Sequence, residues 1–175
     1  MRILGDVALF LTGLAAALAT VSLFRIGFGV WTLVQLPVVF MALAVFYLND
    51  KRLASLTAGL GLGLDAVSAY PFFTWTCILG GTTLVGWRLS RTLLTNRSLP
   101  SLLLLGASMR LAYFILQLAF SRAGELVGGT AWYLISGVGA RRTLYALGIE
   151  MALLAIIFVV HISLRGERAR MLTHL

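Results

Sequence analysis

Long apolar runs, separated by short polar or charged stretches, follow one another along almost the whole chain. A helix that crosses the ~30 Å hydrocarbon core of a bilayer needs about 20 mostly apolar residues, and in lipid it satisfies its own backbone hydrogen bonds. Six runs approach this length: Val7–Phe24, Gly29–Leu48, Leu53–Ala69, Phe72–Trp87, Ser101–Phe120 and Thr143–Leu164. The pattern therefore predicts an all-α fold, a polytopic membrane bundle of six transmembrane helices in a single integral-membrane domain over residues 1–175.

Two prolines interrupt the apolar runs. Pro37 falls inside the second predicted helix. Between the third and fourth helices, the stretch Leu53–Trp87 is apolar except for Asp65 and would also fit one long kinked helix. That stretch is too long for a single span, and the ring of Pro71 disfavours a helical conformation at the preceding residue. We therefore predict two short spans joined by a tight turn on the outer side.

The composition separates this chain from soluble proteins. Hydrophobic residues make up 60% of it and charged residues 11%, whereas a soluble domain carries about 25% charged residues. A net charge of +8 would suggest nucleic acid in a soluble protein. In a membrane protein, basic residues instead mark cytoplasmic loops and contact anionic lipid. We expect contact with the lipid bilayer and none with nucleic acid.

The basic residues are divided unevenly between the two sides of the predicted bundle. With the N-terminus inside, the inner segments hold nine Lys and Arg residues and the outer segments four, while Arg110 lies within the fifth helix. Cytoplasmic segments of membrane proteins carry the excess of basic residues. We therefore expect both termini in the cytoplasm, as six spans require.

The longest connection, Ser121–Arg142, lies on the outer side and contains an aromatic segment between glycines. Trp132 and Tyr133 are residue types that favour the headgroup level and are enriched at protein interfaces. Two interpretations stay open. The segment is a short interfacial helix on which a partner docks, or it is an ordered loop that these aromatics anchor at the headgroups.

Three ionisable residues, Asp65, Arg110 and Glu150, fall deep inside predicted spans. At ~1.5 Å per helical residue they lie roughly 18, 14 and 21 Å above the inner face, within the middle of the bilayer. Charges at that depth are costly and usually have partners, and here one cation accompanies two carboxylates. The pattern favours a buried ion pair or triad that fixes helix packing. A ligand or transport site, and separate contacts with outer water, remain alternatives.

Gly59 and Gly63 in the third predicted helix form a small-xxx-small pair. Such pairs let two helix backbones approach closely in a membrane, so we expect a helix-packing surface. These glycines and Gly61 lack the spacing and the strand context of a phosphate-binding loop.

No catalytic constellation can be assembled from the sequence. Ser108 and His161 suggest an intramembrane serine protease, but they fall at roughly 11 and 5 Å above the inner face, and Met109 stands where a glycine is expected. The two histidines, His161 and His174, have no companion cysteines at metal-ligand spacing. We expect no enzymatic activity, no metal and no cofactor.

The segment Gly61–Ser68 resembles the third-helix signature of the MreD family of rod shape-determining membrane proteins, a glycine-rich apolar run followed by an Asp and a Ser. An apolar helix with a basic cytoplasmic end follows in that family, and Val85–Arg91 is similar to it. The resemblance covers roughly Val30–Leu118. The chain departs from the signature at Ala69–Pro71, where the family usually has Gly and then a Leu-Gly step.

The resemblance implies a non-enzymatic scaffold of the cell-wall elongation machinery in the bacterial inner membrane. Such proteins bind MreC, a single-span protein, and through it influence RodA and its transpeptidase partner, with MreB filaments on the cytoplasmic side. The resemblance also implies a fold similar to the substrate-binding components of energy-coupling-factor transporters, which makes a small-molecule capture subunit the rival function. Capture needs an open cavity with polar and aromatic side chains. Few polar residues lie inside the predicted spans, which favours the scaffold.

Overall fold

The computed structural model describes residues 2–25, 35–48, 50–68, 73–92, 98–126 and 140–172. All the regular structure in these ranges is helical, which confirms the all-α prediction. The helices are α1 (Arg2–Arg25), α2 (Leu36–Tyr47), α3 (Asp50–Val67), α4 (Thr74–Thr92), α5 (Leu99–Leu126) and α6 (Ala140–Leu172).

Within the described ranges, three helices are long and apolar enough to cross a membrane, which indicates a membrane protein. The apolar segments are Gly5–Ser22 in α1, Leu99–Ala123 in α5 and Leu144–Leu164 in α6. The other three helices do not meet this measure. The apolar helix α2 has only 12 residues, α3 carries four charged residues, and α4 contains five threonines and ends in a basic stretch.

The start of α2 differs from the predicted helix Gly29–Leu48. The helix begins at Leu36, so Pro37 lies in its first turn and not in its interior. A proline is well suited there, because the first turn of a helix has no intrahelical acceptor for its backbone N–H groups and the proline φ angle is already helical. Residues 29–34 lie outside the described ranges.

The short helix α2 lies at the centre of the bundle. Eight of its 12 residues are buried, and it contacts each of the five other helices. Around it, α1 packs on α3, α3 on α4, α4 on α5 and α5 on α6. The central core consists of fully or almost fully buried apolar side chains: Val38, Met41, Leu60, Ile78, Leu79, Leu102, Leu105, Met109 and Leu154. The outer faces of α1, α5 and α6 are largely exposed and apolar, as helices against lipid are.

Candidate functional site

Asp65 is buried near the end of α3, where its carboxylate caps the following helix. It accepts hydrogen bonds from the backbone N–H groups of Trp75 and Thr76, at 2.7 and 3.0 Å, and from the Thr76 hydroxyl at 2.6 Å. The first N–H groups of a helix have no intrahelical acceptor, and a negative charge at that end interacts favourably with the helix dipole. Asp65 therefore joins α3 to α4 with three hydrogen bonds.

The residues around this cap bring the two helices close together. One turn before Asp65, Gly61 lies against α4, and a Cβ built there would lie only 2.7 Å from the Cα of Thr76. Phe73, directly before α4, has a φ angle of 72°. That left-handed conformation is rare for bulky residues and costs of order 1 kcal/mol or more. The tight contact and the strained residue both lie beside the cap that Asp65 makes.

Glu150 and Arg110 form an ion pair between α6 and α5. The Arg110 Nε lies 3.5 Å from the Glu150 Oε2, and their side chains are 14% and 2% exposed. The other carboxylate oxygen, Oε1, accepts a hydrogen bond of 2.7 Å from the backbone N–H of Gln35, the residue at the amino end of α2. Tyr113 donates from its hydroxyl to the Gln35 Oε1 at 3.2 Å. Three helices thus meet at this carboxylate.

The polar groups of this ion pair are only partly satisfied. A hydrogen bond between a cation and a carboxylate is usually 2.7–2.9 Å long, so 3.5 Å is a long contact. Within the described residues, the buried Arg110 Nη1 and Glu150 Oε2 have no hydrogen-bond partner. The guanidinium lies over the Tyr113 ring, with Cζ 5.8 Å from the centroid. One buried donor and one buried acceptor of this ion pair therefore lack a hydrogen bond within the described part of the protein.

The sequence suggested one cation between two carboxylates. The structure brings Arg110 and Glu150 together and gives Asp65 separate partners at the start of α4. The two places are linked by aromatic stacking, since Trp75 lies on Tyr113 with centroids 6.4 Å apart. Sequence reasoning missed Gln35 and Tyr113. The available signals were a polar residue two positions before Pro37 and a tyrosine one helical turn after Arg110.

Gly59 and Gly63 lie in the contact between α3 and α1. A Cβ at Gly59 would overlap the carbonyl oxygen of Phe10, and one at Gly63 would lie 2.7 Å from the Ala17 Cβ. Gly13 of α1, which the sequence did not single out, faces the same contact. Only small residues allow these two backbones to pack at this distance.

The serine and histidine considered for catalysis lie in different surroundings. Ser108 is partly buried and lines a groove between α4 and α5. His161 lies against Tyr47, with ring centroids 4.7 Å apart. Among the described residues, no group of three His, Cys, Asp or Glu side chains could hold a metal ion. Trp132, Tyr133 and His174 lie outside the described residues.

A third polar cluster lies at the opposite end of α3 and α4 from Asp65. The Asp50 carboxylate accepts from the Trp87 indole N–H at 2.8 Å and pairs with the Arg91 guanidinium. That guanidinium also lies 5.6 Å from the centre of the Trp87 ring. The hydrogen bond from Arg91, followed by that from Trp87, lowers the pKa of Asp50 from its ordinary value of 3.8. Because the cluster is exposed to solvent, it adds little to stability but fixes these two helix ends beside each other.

Compared with models of protein families, with curated proteins and with solved structures, the chain gives no match.

Proposed function

We propose that this protein is a non-enzymatic membrane scaffold of the bacterial cell-wall elongation machinery, similar to MreD, that binds an MreC-like single-span partner and so regulates peptidoglycan synthesis. In this proposal all six helices cross the cytoplasmic membrane, in a fold similar to the substrate-binding components of energy-coupling-factor transporters. RodA, its transpeptidase and MreB are the further members of the assembly.

The hydrogen bonds that Asp65 accepts are the main observation that supports a scaffold function. Asp65 is the polar residue of the segment that resembles MreD, and its carboxylate already accepts three hydrogen bonds from α4. A carboxylate so occupied is suited to holding two helices together and not to acid–base chemistry or to binding a solute. In this proposal the segment Gly61–Ser68 fixes the packing of α3 against α4, and a scaffold needs such a fixed arrangement of its helices.

The distribution of charge supports the proposed orientation. The Asp50–Trp87 and Asp50–Arg91 contacts place the start of α3 and the end of α4 at the same end of the bundle. Arg52 and Arg88 are also exposed in this region. Basic clusters of this kind are typical of the cytoplasmic side. The proposal therefore puts this end, and both termini, in the cytoplasm.

A small-molecule capture subunit is the second candidate, because one observation favours it. Aromatic and polar side chains lie together at one place inside the bundle: Gln35, Trp75, Arg110, Tyr113 and Glu150. Binding sites for small molecules combine apolar walls with a few convergent polar groups of this kind. The Arg110 Nη1 and Glu150 Oε2 atoms, which have no hydrogen-bond partner among the described residues, would then bind a polar group of the solute.

Deletion of the gene separates the two candidates. The scaffold function predicts rounded cells and loss of MreC-like protein from the elongation complex, with nutrient uptake unchanged. Cells that keep their shape and lose uptake of one small nutrient would replace the scaffold with the capture subunit. Ser108→Ala and His161→Ala should both restore the deleted strain. If neither variant restores the deleted strain although both are present in the membrane at the wild-type level, an enzymatic function would be indicated.

A further inference from the structure

A groove of about 400 Å³ runs along the outside of the bundle between α3 and α4. Its walls are formed mainly by small side chains, with a tryptophan and an aspartate at one end: Asp50, Leu53, Ala54, Thr57, Ala58, Thr76, Gly80, Thr83, Leu84 and Trp87. Along α4 the lining extends from Thr76 to Trp87, which is roughly 16 Å of helix axis. This is the length of about three helical turns.

Gly80 has no packing role within the described part of the protein. A Cβ built there meets nothing within 4 Å, whereas one at Gly86 of the same helix would lie 2.5 Å from the Met109 sulfur. A glycine inside a helix is about 1 kcal/mol less favourable than an alanine. The backbone at Gly80 faces an open groove, so the backbone of a helix from another protein could pack closely against it.

Thr83 supplies a second and independent observation. The residue is 6% exposed and lines the groove, and its buried hydroxyl has no hydrogen-bond partner among the described residues. The two other threonines that line the groove are satisfied, Thr57 by the Leu53 carbonyl and Thr76 by Asp65. An unpaired hydroxyl away from water is unfavourable, and a polar group on a neighbouring helix would satisfy it.

The charged residues near one end of the groove favour a ligand of a particular charge. Arg52, Arg88 and Arg91 are exposed near this end, against the single carboxylate of Asp50, which pairs with Arg91. The excess is positive and favours a ligand whose polar end is acidic. An anionic lipid would match that charge, but an acyl chain offers nothing to the Thr83 hydroxyl and gains nothing from a glycine.

We propose that the groove between α3 and α4 holds the transmembrane helix of a partner protein, with small residues facing Gly80, a hydrogen-bonding side chain at the depth of Thr83 and an acidic residue beside the arginines. The proposal rests on the scaffold function, since it identifies the surface through which the scaffold would hold its single-span partner. Helices in membranes associate through such small-residue contacts and interhelical hydrogen bonds.

The first test fills the groove without disturbing the fold. In Gly80→Leu the new side chain enters open space, so the level and stability of the protein should be unchanged. Gly148→Leu on α6 is the matched control, because a Cβ there also meets nothing within 4 Å. The probe is the full-length MreC-like protein of the same organism, co-purified in mild detergent. Gly80→Leu should reduce its recovery at least about tenfold, as overfilling of a close contact does, and Gly148→Leu should not.

The second test removes the hydroxyl. Thr83→Val deletes an unsatisfied buried group, so the isolated protein should be as stable as before or more so. Recovery of the MreC-like protein should nevertheless fall by about threefold, the size of an interhelical hydrogen bond in lipid. Thr82→Val is the control, since the Thr82 hydroxyl bonds within its own helix to Ile78.

The possible failures are distinguishable. If the MreC-like protein binds the wild type and also binds Gly80→Leu equally well, the groove is not the docking surface and the scaffold function stands. If Gly80→Leu instead displaces anionic phospholipid detected by native mass spectrometry, without affecting the protein partner, the groove is a lipid site. If the wild type binds no MreC-like protein and the deleted strain keeps its shape, the scaffold function fails together with the partner proposed for the groove.

Discussion

Asp65 and Glu150 are two buried carboxylates in one bundle, and both lie at the amino end of another helix. Asp65 caps α4 with three hydrogen bonds, all from neutral donors. Glu150 accepts one backbone hydrogen bond at the start of α2 and faces an arginine at 3.5 Å. A carboxylate that accepts three hydrogen bonds from neutral donors depends less on a counter-charge than one that accepts a single such bond and faces a cation. Asp65 thus holds two helices together through its hydrogen bonds, whereas Glu150 retains an oxygen with no hydrogen-bond partner among the described residues.

The largest effect is expected from breaking the ion pair on one side only. Arg110→Met leaves the Glu150 carboxylate buried without its cation, and such a change typically costs about 3–5 kcal/mol. The measurement is unfolding by SDS titration in mixed micelles, with Arg52→Met, at an exposed position, as the control. A loss no larger than that of the control would mean that the carboxylate does not depend on Arg110.

Removal of the cap should have the next largest effect. Asp65→Ala leaves two backbone N–H groups and the Thr76 hydroxyl without their acceptor at the start of α4. Loss of a helix cap that also leaves buried donors without an acceptor lowers the free energy of unfolding by about 2–4 kcal/mol. Asp65→Asn keeps one acceptor oxygen and no charge, so the same unfolding assay should place it between the wild type and Asp65→Ala. Equal losses in Asn and Ala would show that the charge, and not the hydrogen bonds, stabilises this end of α4.

A double-mutant cycle tests the pair itself. Glu150→Gln keeps an oxygen for the Gln35 N–H but removes the charge, so in this background Arg110→Met no longer strands a carboxylate. The loss in the double variant should be smaller than the sum of the single losses by about 1–3 kcal/mol. Additive losses would show that the two side chains do not interact in the membrane.

The smallest effect is expected at the exposed Asp50 cluster. Since the pKa of Asp50 is lowered in the folded protein, chiefly by the Arg91 hydrogen bond, its contribution is fully present above the ordinary value of 3.8. That contribution is lost as the pH falls through the lowered folded value. Asp50→Asn should therefore be slightly less stable than the wild type near neutral pH and equal to it at the acid end of a pH titration. A difference that grows towards acid would have the wrong sign for this cluster.

Much of the fold follows from hydropathy, but the contacts of the buried charges do not. The break between α3 and α4 could be predicted because Pro71 acts on the residue next to it. The counts of residues along each helix placed Asp65, Arg110 and Glu150 in the middle of the bilayer but did not indicate which carboxylate pairs with Arg110, and the structure pairs it with Glu150. The role of Asp65 could not be predicted, because a cap supplied by another helix depends on how the two helices pack. Gln35 escaped notice because the apolar run continues on both sides of it and hides the start of α2.

The hydrogen bond from Gln35 to Glu150 joins residues 115 positions apart in the chain. Glu150 lies on α6 and is synthesised after α2, so the acceptor for this backbone N–H does not exist while the helices before α6 are being made. A helix of 12 residues is also shorter than the segments that the insertion machinery recognises as full spans. The contacts of the central helix α2 are therefore complete only once α6 is present, and a chain truncated before α6 lacks this acceptor and the core side chains Leu154 and Phe158.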